Sequence, residues 1–144
     1  TVNLLACTAK QSQGNSIVVI AGHSALISGV TVKDTFFGNG VVCFGPCTVS
    51  SSTMTGHLYD GFVCSGTNCG SYVNTFAANG SQDIQVINGQ LITEYHSCPH
   101  DINATQGATV NLNELTTCLS IDCLSTDGTG TYTGTTGVCS EGIF

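Results

Sequence analysis

The residues with the clearest chemical potential in this chain are cysteines and histidines that lie close together. Three short segments carry them, at residues 43–47, 64–69 and 96–100, with the sequences CFGPC, CSGTNC and HSCPH. Thiols and imidazoles separated by about two to four residues are typical zinc ligands. The same cysteines also suit a disulfide framework, which we favour because a short chain rich in cysteine is typical of an oxidising compartment. We accordingly interpret His96 and His100 as ordinary loop residues.

The cysteine count itself predicts one unpaired thiol. Nine cysteines are present, and nine is odd, so one of them is free, bound to a ligand or bonded to another chain. Two alternatives are open for the unpaired cysteine, which are an intermolecular disulfide and an inert buried thiol. The cysteines are Cys7, Cys43, Cys47, Cys64, Cys69, Cys98, Cys118, Cys123 and Cys139.

Length and charge restrict the classes of protein to consider. A chain of 144 residues suits one domain, which we assign to residues 1–144. Two lysines, no arginine and a net charge of −7 build no basic patch, so we expect neither a nucleic-acid partner nor an anionic membrane partner. No apolar run approaches the ~20 residues of a membrane span. A start at Thr1 without methionine, with glycosylation acceptors at Asn79 and Asn103, predicts a secreted glycoprotein.

A repeat of about 22 residues determines the predicted fold. Four short apolar runs each close on a glycine, and these glycines recur at nearly equal intervals as Gly22, Gly45, Gly66 and Gly89. A second extended run follows each glycine, and helix signals are nearly absent. This pattern predicts an all-β, disulfide-stapled parallel β-helix (a solenoid) of about five circuits, or rungs. Residues 101–144 break the period, so we expect them to form an irregular cap.

The repeat also suggests how four cysteines pair. Cys43 and Cys64 occupy equivalent places in successive rungs, and so do Cys47 and Cys69. Rungs stack ~4.8 Å apart, which falls within the ~4.4–6.8 Å between the Cα atoms of bridged cysteines. We therefore predict the disulfides Cys43–Cys64 and Cys47–Cys69.

An antiparallel β-sandwich is the alternative fold. Residues 84–92 read IQVINGQLI, which is typical of a hairpin with a two-residue Asn-Gly turn. In a solenoid the same Asn-Gly pair forms a corner of the rung. The regular glycine spacing favours the solenoid.

Residues 40–49 read GVVCFGPCTV, which resembles the G-[VI]-H-C-x-G-x-C-T-[IV] stretch of small, cysteine-rich pectate lyases (polysaccharide lyase family three). Those enzymes are short right-handed β-helices that cleave pectate by calcium-assisted β-elimination. The resemblance, which spans roughly residues 22–101, implies a right-handed coil. It also implies that Asp60 is a calcium carboxylate and that His96 replaces the family's arginine. Lys33 completes the candidate catalytic set, and calcium is expected as a cofactor only under this interpretation.

The first functional hypothesis is a non-catalytic structural protein that associates with itself into oligomers or filaments. In the runs 17–20 and 41–44, both alternating faces of the strand are apolar. A strand with two apolar faces is normally covered on both. Either a second copy of the chain covers the outer face, or residues 101–144 cover it and the protein is a monomer.

Two further hypotheses are open. The second is a degenerate pectate lyase-like protein that binds or cleaves polysaccharide with Asp60, His96, Lys33, Tyr95 and His57 as candidate residues. The third is an ice-binding protein, because flat solenoids with threonine ladders order water on one face. The ladders that this third hypothesis predicts are Thr35–Thr53–Thr75 and Thr31–Thr48.

Overall fold

The chain folds into parallel strands stacked in rungs. The computed structural model describes residues 1–94, 99–113, 118, 120–135 and 138–142. Within these ranges the chain forms eighteen strands, numbered β1 to β18 along the chain, and no helix. None of the described segments is therefore a helix long and apolar enough to cross a membrane.

The strands make three sheets, and every pair of neighbouring strands is parallel. Sheet A contains β1 (Val2–Leu5), β4 (Ala25–Ser28), β7 (Cys47–Ser50), β10 (Asn68–Tyr72), β13 (Gln90–Glu94), β15 (Thr109–Leu112) and β17 (Thr131–Gly134). Sheet B contains β2 (Thr8–Lys10), β5 (Thr31–Lys33), β8 (Thr53–Thr55) and β11 (Thr75–Ala77). Sheet C contains β3 (Ile17–Val19), β6 (Val41–Cys43), β9 (Phe62–Ser65), β12 (Ile84–Ile87), β14 (Asp101–Thr105), β16 (Ile121–Leu124) and β18 (Cys139–Gly142).

The solenoid prediction is confirmed, and the antiparallel sandwich is excluded because no described strand pair is antiparallel. Each of the first four rungs passes through sheets A, B and C in turn, and about six rungs are present rather than the predicted five. A right-handed coil, the hand that nearly all parallel crossovers take, stays a prediction.

The described parts of residues 101–144 form regular strands and not the predicted irregular cap. Their described parts make β14 to β18, which continue sheets A and C in the same parallel register. Sheet B has no strand after β11 among the described residues, so the later rungs lack its strand there. Leu91 and its partner Val110 are closer in sequence than Cys69 and Leu91, the partners one rung earlier. This shorter repeat disguises the continuation in the sequence.

Side chains alternate between the two faces of each strand, so every second side chain points into a narrow core. In sheet C the inward column, meaning the residues at one position in successive rungs, is buried from its second member onward. Burying one such aliphatic or aromatic side chain contributes roughly 1.5–3 kcal/mol. This column contains Ile17, Val41, Phe62, Ile84, Ile102 and Cys123.

The corners between sheets use left-handed backbone in place of long loops. At the corner from sheet A to sheet B, the φ angles of Ala6, Gly29, Ser51 and Val73 are 49°, 64°, 46° and 56°. Only one of these four residues is glycine, although the left-handed region costs other residues roughly 1–2 kcal/mol. At each of these corners the backbone N–H donates to a carbonyl oxygen of the following rung, which holds the corner in this conformation.

The predicted disulfide pairing is wrong, although the predicted register is right. Cys43 lies opposite Cys64, and Cys47 lies opposite Cys69, on neighbouring strands. The bonds run within a rung instead, joining Cys43 to Cys47 and Cys64 to Cys69, with Cα–Cα distances of 6.3 and 6.2 Å. Side chains in one column point the same way, whereas cysteines on either side of a corner point towards each other. Gly45 permits this corner, because a Cβ atom there would lie 1.9 Å from the carbonyl oxygen of His23.

The other cysteines are in disulfides, outside the described residues, or free. A third disulfide joins Cys123 to Cys139, with a Cα–Cα distance of 5.4 Å. Cys118 also belongs to a disulfide, and Cys98 lies outside the described residues. Cys7 is a free thiol, half-buried, among the cysteines that the structure describes.

Candidate functional site

Asp60 belongs to a ladder of Asn and Asp side chains at the corner where the chain enters sheet C. The Oδ1 atom of Asn15 accepts a hydrogen bond from the backbone N–H of Asn39 at 2.8 Å. Asn39 Oδ1 accepts from the N–H of Asp60 at 2.9 Å, and Asp60 Oδ1 accepts from the N–H of Gln82 at 2.9 Å. Each side chain thus supplies the inter-rung hydrogen bond that the backbone does not make at that point.

The Asp60 carboxylate is therefore occupied in holding two rungs together. Burial raises its pKa, and the hydrogen bonds from Gln82 and Ser81 partly offset that effect. The same position is an asparagine in the two preceding rungs. This position therefore needs an acceptor oxygen rather than a negative charge.

His57 is a buried structural residue. Only 2% of it is exposed, and its Nδ1 atom lies 3.1 Å from the hydroxyl of Thr35. That hydroxyl donates to the carbonyl of Gly38 at 2.7 Å, so it accepts from a protonated Nδ1. The buried Nε2 atom has no hydrogen-bond partner among the described residues, and burial lowers the pKa of the ring more than the Val32 backbone and the Asp34 charge raise it. A neutral, enclosed imidazole of this kind is not placed to take a proton from a substrate.

The remaining lyase candidates do not join Asp60 in one site. Lys33 lies on the outer face of sheet B, opposite Lys10 in the register, whereas Asp60 lies at the corner that leads into sheet C. His96 and Tyr95 lie outside the described residues. The described residues therefore form no arrangement of a base and a cation around Asp60.

The described carboxylates do not fit a calcium ion. Calcium takes about six to eight oxygen ligands. Asp83 instead accepts from the N–H of His100 and the side chain of Asn79, and Asp101 accepts from the N–H of Asp83. Burial raises the pKa of Asp101, and the neighbouring Asp83 and Asp122 raise it further.

The set of three cysteines at Cys43, Cys47 and Cys69 is the one group of potential metal ligands that the described residues bring together. All three are in disulfides, which removes the thiolates that a zinc ion needs.

Both predicted glycosylation acceptors are used inside the fold. Asn103 is 5% exposed, and its Nδ2 atom donates to Gln85 at 3.1 Å and to Thr126 at 3.1 Å. Asn79 is half-buried, and its Nδ2 atom donates to Asp83 at 2.8 Å and to the carbonyl of Met54 at 3.3 Å. A glycan replaces one of the two N–H groups, so it would break one of these bonds.

Large apolar side chains are exposed on the first strand of sheet C and at the corners before and after this sheet. The outward column of sheet C begins with Val18, Val42 and Val63 and continues with Gln85 and Asn103. Val18 is 45% exposed, whereas Val42 and Val63 are buried and hydrogen-bonded amides form the later part of the column. We call the exposed side chains here the apolar surface, and they are Val18, Ile20, Phe36, Phe37, Phe44, Leu58 and Tyr59.

The described residues of the C-terminal part do not cover this surface. Strands β14 to β18 extend the stack along its axis instead of folding back over β3 and β6. Phe37 is 69% exposed and Phe44 is 47% exposed. The monomer explanation, in which residues 101–144 cover the outer face, stays a prediction, because Val42 and Val63 on that face are buried whereas Val18 is exposed.

The predicted stacking of Thr53 on Thr75 is confirmed, but Thr35 does not belong to that ladder and the predicted ladder Thr31–Thr48 is wrong. Thr35 is buried beside His57, and Thr48 lies in sheet A opposite Leu26. The column on the outer face of sheet B consists instead of Thr8, Thr31, Thr53 and Thr75. The signal available in the sequence was a threonine two places before a Lys, Lys, Thr or Ala, recurring once in each of four successive rungs.

Comparison with known proteins finds no matching family model, no matching curated protein and no matching solved structure.

Proposed function

We propose that this protein is a non-catalytic structural β-solenoid that associates with itself through the apolar surface. The observation that carries this proposal is the exposure of Phe37, Phe44 and Val18 on and beside sheet C. Large exposed apolar side chains that cluster are typical of interaction sites on soluble proteins.

The occupant that fits best is a second copy of the chain. The apolar surface carries no lysine, so it has no charged group to recognise an acidic partner. Association of identical chains buries the same patch twice, which suits a two-fold interface. The net charge of −7 on each copy opposes association, so we expect added salt to strengthen it.

We also propose that the protein is secreted and that it is related to small pectate lyases. Disulfides support an oxidising compartment, since such bonds are rare in reducing cytosol. The solenoid fold and the cysteines at positions 43 and 47 support the relationship. The use of Asp60 and His57 as structural groups supports a protein that keeps such a fold without lyase chemistry.

The test is the mass of the oxidised protein in solution, measured by sedimentation over a range of concentrations. We expect a species heavier than the 14.8 kDa monomer that grows with concentration and salt. Val18→Lys and Phe37→Ser place polar groups on the apolar surface, and each should return the protein to the monomer.

Ile92→Lys is the matched control, because Ile92 is similarly exposed (41%) but lies on the outer face of sheet A. It should leave the assembly intact, and circular dichroism should show the same β content in all variants. A wild-type protein that stays monomeric at every concentration overturns the proposal.

A further inference from the structure

We infer that the outer face of sheet B binds ice, through a regular array of threonine hydroxyl and methyl groups. This inference concerns a different surface from the apolar surface and does not depend on self-association. The array is the column Thr8, Thr31, Thr53 and Thr75, one threonine in each of four successive rungs.

The fold sets the spacing of this array. The four residues are direct partners in parallel strands, so their side chains repeat every ~4.7–4.9 Å along the stack. Threonine is branched at Cβ, which restricts its χ1 rotation and keeps neighbouring hydroxyls in similar orientations. A rigid, repeating row of this kind is suited to a ligand that is itself a lattice.

The hydroxyls of the array are free to bind that ligand. No described residue forms a hydrogen bond with the Oγ1 atom of Thr8, Thr31, Thr53 or Thr75. Each of these hydroxyls must therefore be satisfied by water.

Some outward hydroxyls on the other sheets are instead used within the protein. Ser50 donates to Ser28 at 3.1 Å on sheet A, and Thr105 accepts from Gln85 at 3.2 Å on sheet C. Sheet B differs from sheet A in the length of its row, because outward threonines of sheet A such as Thr109 and Thr131 stack only as a pair, whereas those of sheet B stack in four successive rungs.

Charge identifies which part of the face contacts ice. The chain has nine acidic residues, yet none lies in the strands of sheet B. The second outward column beside the threonines holds Lys10, Lys33, Thr55 and Ala77. A lysine ammonium is strongly hydrated and would disturb an ordered water layer. Strands β8 and β11 carry no charged side chain and are therefore the contact, whose extent is limited by the two lysines and by the exposed Asp34 carboxylate beside Gly56.

The experiment is a measurement of thermal hysteresis and of ice-crystal shape with the folded, oxidised chain. Wild type should show hysteresis and faceted crystals. Thr53→Tyr places a bulky ring in the middle of the array and should abolish both effects. Thr133→Tyr is the matched control, because Thr133 is an exposed outward threonine on sheet A, and it should behave as wild type.

A second variant tests the inference by gain of activity, which misfolding does not imitate. Lys10→Thr with Lys33→Thr extends the uncharged array along the whole sheet and should increase the hysteresis. Absence of ice shaping in both wild type and this double variant overturns the inference. Equal loss in Thr53→Tyr and Thr133→Tyr also overturns it, because the effect would then not belong to sheet B. Retention by a neutral polysaccharide resin without any hysteresis would assign the face to sugar and likewise overturn it.

Discussion

The Nδ1 atom of His57 and the hydroxyl oxygen of Thr35 lie 3.1 Å apart in the core, one rung apart and 22 residues apart in sequence. Because the Thr35 hydroxyl donates to Gly38, the histidine must be the donor in this pair. The pair therefore places a proton on Nδ1, burial lowers the pKa of the ring and so favours its neutral form, and Nε2 is enclosed without a partner among the described residues.

This arrangement predicts that the protein loses stability in mild acid. Burial lowers the pKa of His57 below the 6.5 of a free histidine, so the unfolded chain takes up the proton first. As the pH falls below about 6.5, the free energy of unfolding should decrease until the pH reaches the folded pKa. Denaturant unfolding at a series of pH values measures this slope.

The variant His57→Gln should remove that pH dependence, because glutamine does not titrate. His23→Gln is the control, since His23 is exposed and should keep the slope. An unchanged slope in His57→Gln would show that another group is responsible.

Asp60→Asn should leave stability at pH 7 unchanged or raise it. Asparagine keeps the acceptor oxygen for the Gln82 N–H and removes a carboxylate whose pKa is raised by burial. A raised carboxyl pKa makes the folded state weaker as the pH rises above about 3.8, so the benefit should be largest at neutral pH and vanish in strong acid. Thermal unfolding at pH 7 and pH 3 measures it.

Asp60→Leu is the informative counterpart. It removes the acceptor and leaves the Gln82 N–H without its partner, which should cost about 1–3 kcal/mol. Equal destabilisation by the asparagine and leucine variants would show that the charge itself is needed at this corner, as a calcium site would require.

The disulfides should differ in their contributions to stability. Removal of Cys123–Cys139, which has a sequence separation of 16, should cost about 3 kcal/mol. Removal of Cys64–Cys69, with a sequence separation of 5, should cost about 2 kcal/mol on the same chain-entropy argument. Paired Cys→Ser variants and denaturant unfolding measure both values.

Peptide mapping of the oxidised protein provides the direct check on connectivity. Cleavage after Tyr59 should separate the peptide that contains Cys43 and Cys47 from the peptide that contains Cys64 and Cys69. Recovery of a peptide in which Cys43 stays linked to Cys64 would contradict bonding within the rung.

Neither Asn79 nor Asn103 should carry a glycan in the folded protein. Each Nδ2 atom already donates two hydrogen bonds within the fold, and Asn103 is also buried. Intact mass of the protein secreted from a eukaryotic host, before and after enzymatic deglycosylation, should show no change. A glycan on folded, stable protein at Asn103 would contradict the placement of β14.

Particular residues show how much of the fold and of the candidate site was predictable. The glycine intervals predicted parallel rungs, and Cys43 did lie opposite Cys64. The same reasoning failed at residues 101–144, because a single shorter repeat, from Leu91 to Val110, shifts the phase of the pattern where sheet B ends and hides a continuing stack. It also failed for Asp60 and His57, whose partners lie about one rung away and are invisible to a motif.

The sequence by itself determined that this chain stacks in parallel rungs with cysteines in register, because burial of the same positions in each repeat leaves few other solutions. Only the tertiary structure decided which sulfur atoms bond, which hydroxyls remain free and which apolar side chains remain exposed. Those outcomes depend on the direction of side chains at the corners and on contacts between rungs. Local composition fixes neither the direction of these side chains nor the contacts between rungs. Two corners with similar residues can therefore differ in function.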